Sequence, residues 1–201
     1  MPRGSSLLLT MSMIAVRTKR WTRIEYERLI DRGMFRADDR LELVDGLLVV
    51  KEPQGNPHAA AVDRVVAALR EVFGDGWLVR AHAPLALGKR SRPEPDVSVV
   101  RGTPGDYSSE APSDPALVVE ISQSSLPFDR MGKASIYARA RIADYWIVNL
   151  RERVVEVRRG PAAASGRGSE YRSVETLRLA DSVAPLAAPN ARIAVSDLLP
   201  P

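Results

Sequence analysis

The sequence predicts an α/β domain, a β-sheet with helices packed on it. Three observations carry this expectation: an Asp-Gly turn joining two apolar runs within 41–50, the β-rich runs 96–100 and 116–122, and two amphipathic helical patterns beginning near Asn56 and Asp129. At 201 residues, 45% hydrophobic and 27% charged, the chain suits one hydrophobic core and does not suit a disordered or fibrous protein. The absence of cysteine excludes disulfide frameworks, thiolate zinc sites, iron-sulfur clusters and cysteine nucleophiles. A formal net charge of +4 permits a polyanionic partner without requiring one. Lys19, Lys51, Lys89 and Lys133 are the only lysines among 29 basic residues, a bias toward arginine that makes each surviving lysine, with His58 and His82, a residue to inspect for function.

The elements follow in order. The apolar run 7–16 is too short to span a bilayer and carries no cleavage pattern. Residues 1–20 are therefore expected to be a disordered extension, with Met11 or Met13 as alternative starts, ahead of one domain over 21–201 in a cytoplasmic protein. Thr22 caps a helix through about Asp31 that Gly33 ends. In the hairpin, Asp45-Gly46 suits the two positive φ angles of a type I′ turn, and two-residue closure sets Glu42 opposite Val49, on the face of Val44 and Leu47. An acid thus sits among apolar neighbours.

Asn56 as N-cap and Pro57 at the first helical position open a second helix, with Val62, Val65, Val66 and Leu69 on one face and Gly74 at its end. His58 falls four residues before Val62, on that face. Strands are expected at 77–87, 96–100 and 116–122, then a helix at 129–141, then strands at 145–149, 154–158 and 171–176. The Gly/Ala/Ser-rich stretch 160–169 reads as a flexible loop. No internal repeat is visible.

Antiparallel pairing of 96–100 with 116–122 brings Asp96 beside Glu120, and strand alternation puts Asp96 with Ser98 and Glu120 with Val118 and Ser122. Two adjacent acids repel unless a cation joins them, which calls for a hard ion such as magnesium or manganese. The plainer account is two solvated strand ends. On the following helix Asp129, Lys133 and Tyr137 share a face at i, i+4 and i+8, so the lysine can reach an acidic site at the end of the Glu120 strand. Here the plainer account is a surface Asp-Lys pair worth about 0.3–0.5 kcal/mol.

These pieces resemble, from about Trp21 to Leu199, the Uma-two family of restriction endonucleases, a branch of the PD-(D/E)XK nuclease superfamily. The matching segments are Trp21-Thr22 through Tyr26, the hairpin Leu41-Glu42-Leu43-Val44-Asp45-Gly46, His58 opening a helix, Arg92-Pro93-Glu94-Pro95-Asp96-Val97, Val118-Val119-Glu120-Ile121-Ser122, the helical Asp129, Lys133 and Tyr137, and Asp144-Tyr145-Trp146-Ile147-Val148. The resemblance implies a restriction-endonuclease-like mixed sheet flanked by helices, with an N-terminal helix and β-hairpin. It implies Asp96 and Glu120 as metal ligands with the Ile121 carbonyl, Glu42 as a further acid, and His58, Asp129 and Tyr137 as neighbours. The superfamily's usual lysine stands two residues after the second acid, where this chain has Ser122. The resemblance implies that Lys133 replaces it from the helix.

The expected function is magnesium- or manganese-dependent endonucleolytic hydrolysis of DNA, with DNA as partner and no membrane association; the resemblance alone implies a homodimer. The alternative is a non-catalytic nucleic-acid-binding module on the same fold. A purely structural protein leaves Glu42 and the Asp96/Glu120 pairing without a reason. Ser122, Ser124 and Ser125 lack a nucleophile-elbow pattern. Trp21, Trp77 and Trp146 suit a core, and Asn149 is assigned no role.

Overall fold

The computed structural model describes residues 18–36, 38–51, 53–164 and 168–201, so most of the expected N-terminal extension lies outside the described residues. Helix α1 (Arg23–Asp31) begins at a reciprocal capping box: Thr22 Oγ1 accepts the Glu25 N–H at 3.2 Å, and Glu25 Oε2 accepts the Thr22 N–H at 2.9 Å. The buried Tyr26 donates its hydroxyl to the Leu41 carbonyl at 2.8 Å, which ties α1 to the hairpin of β1 (Leu41–Val44) and β2 (Leu47–Val50). Asp45 and Gly46 have φ of 47° and 80°, as a type I′ turn requires, and Glu42 pairs with Val49. A Cβ at Gly46 would lie 2.9 Å from Arg20 Cβ and 3.0 Å from the Trp21 carbonyl oxygen, so close approach as well as dihedral requires glycine there. Val44 is buried as expected, but Leu47 is exposed because β2 pairs only with β1 and forms the outer strand.

Helix α2 (Asn56–Phe73) starts one residue earlier than its sequence suggests. Gly55 is the N-cap and no side chain caps the helix; Asn56 is already helical. Ala61, Val62, Val65, Leu69 and Phe73 are buried, His58 with them, and Gly74 closes the helix at φ 61°.

Strand β3 (Trp77–Ala81) is half as long as the alternation implied. His82 adopts φ 48° and turns the chain out of the sheet, after which Leu85 and Leu87 are buried against a different part of the core. Strands β4 (Val97–Arg101), β5 (Leu117–Ser122), β6 (Asp144–Asn149), β7 (Val154–Ala163) and β8 (Ser169–Leu177) complete a six-stranded mixed sheet ordered β3-β4-β5-β6-β7-β8. Only β5 and β6 run parallel in it, joined by a helical crossover. Within the stretch expected as a loop at 160–169, residues 160–163 and 169 are strand, since pairing of β7 with β8 continues to Ala163 opposite Ser169; residues 165–167 lie outside the described residues.

The crossover departs from a plain helix over 129–141. It consists of α3 (Leu126–Phe128), a wider π-turn (Asp129–Lys133) and α4 (Ala134–Arg139). A short β9 (Ser182–Val183), β10 (Ile193–Ala194) and α5 (Val195–Leu198) follow the sheet. Apolar side chains of α2 and α5 cover one face, with Val97, Val99, Val119, Ile121 and Trp146. The opposite face carries α4, Val118, Tyr145 and Ile147. Among the described residues no helix is long and apolar enough to cross a membrane.

Candidate active site

Antiparallel register sets Val97 opposite Val119, which brings the preceding Asp96 beside Glu120. The Asp96 N–H points to Glu120 Oε2 at 3.4 Å. Asp96 Oδ2 accepts the Ile121 N–H at 2.8 Å and lies 3.1 Å from His58 Nε2, while Oδ1 accepts the Gln54 side-chain amide at 3.0 Å. Burial disfavours the ionised carboxyl here. The hydrogen bond and charge of His58, with the Ile121 N–H, outweigh burial and hold Asp96 below the usual carboxylate range.

Glu120 has the opposite balance. Burial, with the neighbouring charges of Asp96, Asp129 and Glu42, pushes its carboxyl up to about 7 despite the opposing pull of Lys133. Lys133 donates to Glu120 Oε1 and to Glu42 Oε2, each at 2.9 Å, and Tyr137 donates its hydroxyl to the same Glu120 oxygen at 2.6 Å. Glu42, Asp96, Glu120 and Lys133 are each at most 4% exposed, so none is a solvated strand end or a surface charge. Burial alone would depress the lysine; the two carboxylates override it and keep the ammonium charged well above its ordinary range.

The π-turn sets this geometry. It puts both Asp129 and Lys133 inside, yet they do not pair: Asp129 accepts the Ser125 hydroxyl at 2.6 Å, and within 4 Å the ion-pair partners of Lys133 among the described residues are Glu42 and Glu120. Burial raises the Asp129 carboxyl. π-Turns inside helices often occur at functional positions. Ser122, at the superfamily's usual lysine position, is fully buried.

A cavity of about 270 Å³ opens on these groups, lined by Glu42, Asp96, Glu120, Ile121, Asp129 and Lys133, together with His58, Lys51 and Gln54. Gln54 carried no sequence signal. Lys51 was marked only by the scarcity of lysine; its ammonium donates to the Glu94 carbonyl at 2.7 Å. His82 stands on the other side of Asp96, with Nδ1 3.5 Å from Oδ1, and burial lowers its pKa. Asn149 accepts the Arg151 and Glu152 N–H groups at 3.1 Å, a turn-closing role. Arg158 and Arg159 pair with Glu156 and Asp144, and Trp146 is wholly buried.

The donor set fits a hard divalent cation. Four carboxylates and two lysines line the cavity, so oxygen donors outnumber the ammonium groups there. Among the described residues no three acidic or histidine side chains are grouped to hold a metal by themselves. Magnesium usually takes one or two protein carboxylates and keeps its other positions for water and substrate phosphate.

Comparison with known proteins agrees with this architecture. A crystal structure described as "a putative nuclease belonging to DUF820 from Anabaena variabilis ATCC 29413" is similar to this chain with a TM-score of 0.61, over 85% of this chain and 96% of that one, at 16% identity. At that identity the likeness is one of fold. No curated protein matches the chain. The Uma2 family, described as "Putative restriction endonuclease", matches residues 24–196, which span the hairpin, the cavity and the whole sheet, and the chain belongs to that family.

Proposed function

We propose that this protein is an endonuclease that hydrolyses phosphodiester bonds in DNA with magnesium or manganese. The observation that carries this reading is the position of Lys133, whose ammonium lies between Glu42 and Glu120 at 2.9 Å from each. A helix thereby supplies, beside the second acid, the cation that the strand lacks at Ser122. The family match and the four carboxylates lining the cavity support it.

In the reaction a water oxygen bonds to phosphorus, the bond from phosphorus to one ester oxygen breaks, and the proton given up by the water is balanced by one arriving at the departing oxygen. Asp96 and Glu120 would hold the cation, with the Ile121 carbonyl as a further oxygen. A bound divalent ion supplies positive charge at the phosphoryl oxygens and makes water more acidic.

The chain's own groups set orientation and charge. An ammonium has three N–H donors; Glu42 and Glu120 occupy two, and the third is available to a phosphate oxygen or a water. Lys133 stays protonated and so acts as a fixed positive donor, not as a base. Loss of such a donor costs about 3–4 kcal/mol of transition-state stabilisation where it has been measured. His58, Gln54 and the Ile121 N–H fix the Asp96 carboxylate, and Tyr137 fixes Glu120.

The test is incubation of the pure protein with supercoiled and linear DNA, with and without magnesium or manganese. Metal-dependent nicking or linearisation is expected. Binding of DNA with no cleavage in either metal would leave a nucleic-acid-binding module instead.

A further inference from the structure

The cavity holds a second lysine that the reaction leaves unused. The Lys51 N–H donates to the Arg40 carbonyl at 2.9 Å, which carries the pairing of β1 with β2 one step past Leu41 and Val50. Strand alternation then puts Lys51 on the face of Glu42 and Val49, and its side chain lines the cavity with theirs. The two lysines are held differently. Lys133 sits between two carboxylates, Glu42 and Glu120, which together outweigh its single charge. Lys51 is half-buried, and its ammonium donates at 2.7 Å to a neutral acceptor, the Glu94 carbonyl; among the described residues it has no carboxylate partner within 4 Å. An ammonium has three N–H donors, so two remain.

The Glu94 N–H donates to Glu42 Oε2 at 3.0 Å, the oxygen that Lys133 also binds, so the two ammoniums stand at opposite ends of a bonded path through one residue. Their charges act on different acids: Lys51 is among the groups that hold Asp96 low, and Lys133 opposes the rise of Glu120. A tie to one carbonyl needs only a neutral donor. A charge kept half-buried without a counter-ion carries a desolvation cost that a bound anion offsets. A DNA strand offers such anions at a regular spacing. We infer that Lys51 is a phosphate-binding residue: beyond Glu94, its ammonium holds the phosphate next to the one that reacts at Lys133 and the acids, so the cleft grips two successive phosphates of one strand. This inference rests on the endonuclease reading and extends it to how the strand is placed, since contacts to phosphate set register without reading sequence.

The experiment uses the full chain and one labelled DNA duplex. Affinity is read by anisotropy in calcium over a series of salt concentrations, and single-turnover cleavage in manganese at saturating DNA. Lys51→Gln and Lys51→Met remove the charge, the first keeping a donor for the Glu94 carbonyl, and Lys51→Arg keeps the charge; circular dichroism checks the fold of each. One phosphate contact contributes about 0.9 to the slope of log affinity against log salt, so both neutral variants should bind more weakly with a slope shallower by about one, and Lys51→Arg should keep the wild-type slope. At saturating DNA the neutral variants should lose less than about fivefold in rate, because the contact is made equally before and during the reaction. A wild-type slope in both neutral variants overturns the inference, leaving Lys51 as a tie between the hairpin and Glu94 and the endonuclease reading intact. A larger loss of rate at saturation puts Lys51 at the reacting phosphate and overturns the inference as well. A shallower slope with no cleavage by the wild type supports the inference and overturns the endonuclease reading. Failure of the wild type to bind DNA overturns both.

Discussion

Lys133 and Glu42 meet at 2.9 Å although 91 residues separate them in the chain, and both are buried. The contact joins the N-terminal hairpin to the helical crossover at the mouth of the sheet, so the hairpin is part of the site as well as of the fold. Removing one partner of a buried pair costs about 3–5 kcal/mol where the other is left uncompensated, and the low end applies here because Lys133 keeps Glu120. Glu42→Ala should therefore lower the urea unfolding free energy by about 3 kcal/mol, and Glu42→Gln by less because its amide oxygen can still accept. A loss below about 0.5 kcal/mol for Glu42→Ala would show that the pair does not hold the hairpin.

Asp96 and Glu120 are expected to provide the protein's metal oxygens. Asp96→Asn and Glu120→Gln should each abolish manganese binding in calorimetry while circular dichroism stays native. Wild-type affinity in both variants would remove the metal from this site.

Glu120 also predicts a pH dependence. Its carboxyl is pushed from an ordinary 4.5 up to about 7, so between those values the folded protein keeps a proton that the unfolded chain releases. The stabilising contribution is complete below about 4.5 and is lost as the pH rises through about 7. In EDTA the unfolding midpoint should fall from about pH 5 to about pH 8, and Glu120→Gln should flatten that fall. Identical slopes for the two proteins would contradict the buried, repelled carboxyl.

Gly132 tests the π-turn. A Cβ there would stand 2.7–2.8 Å from the Phe128 ring, so Gly132→Ala must displace the ring or the turn that carries Lys133. Overpacking of this kind costs about 1–3 kcal/mol. DNA cleavage should fall more in the turnover rate than in binding, measured by single-turnover kinetics against anisotropy. A variant with native stability and rate would show that the turn tolerates another shape.

Local chemistry made several elements legible in the sequence. Asp45-Gly46 has few conformations that close a two-residue hairpin, and that closure dictates Glu42 opposite Val49. Strand parity brought Asp96 to Glu120, and helical spacing put Lys133 and Tyr137 on a common side. What stayed hidden depends on tertiary context. The π-turn arises where Phe128 packs on Gly132, and β3 stops because His82 takes a positive φ beside Asp96, which no alternation of apolar residues reveals. Strands β7 and β8 outrun their apolar cores because pairing skips Gly160, whose φ is 68°, and resumes at Pro161 opposite Tyr171. Gln54 lies outside any regular pattern and acquires its place only when α2 carries His58 to Asp96.

Lys133, carried on the helical crossover, is the cation of the proposed acid-acid-lysine site. Single-turnover cleavage of one DNA substrate in manganese by the wild type, Lys133→Ala and Lys133→Arg tests it most directly, alongside manganese affinity for each. Lys133→Ala should lose at least about a hundredfold in rate and still bind manganese, because lysine is not a ligand. Lys133→Arg should remain well below wild type, since a planar guanidinium cannot take the place of a compact ammonium between two carboxylates. Equal rates for the three proteins would contradict the claim.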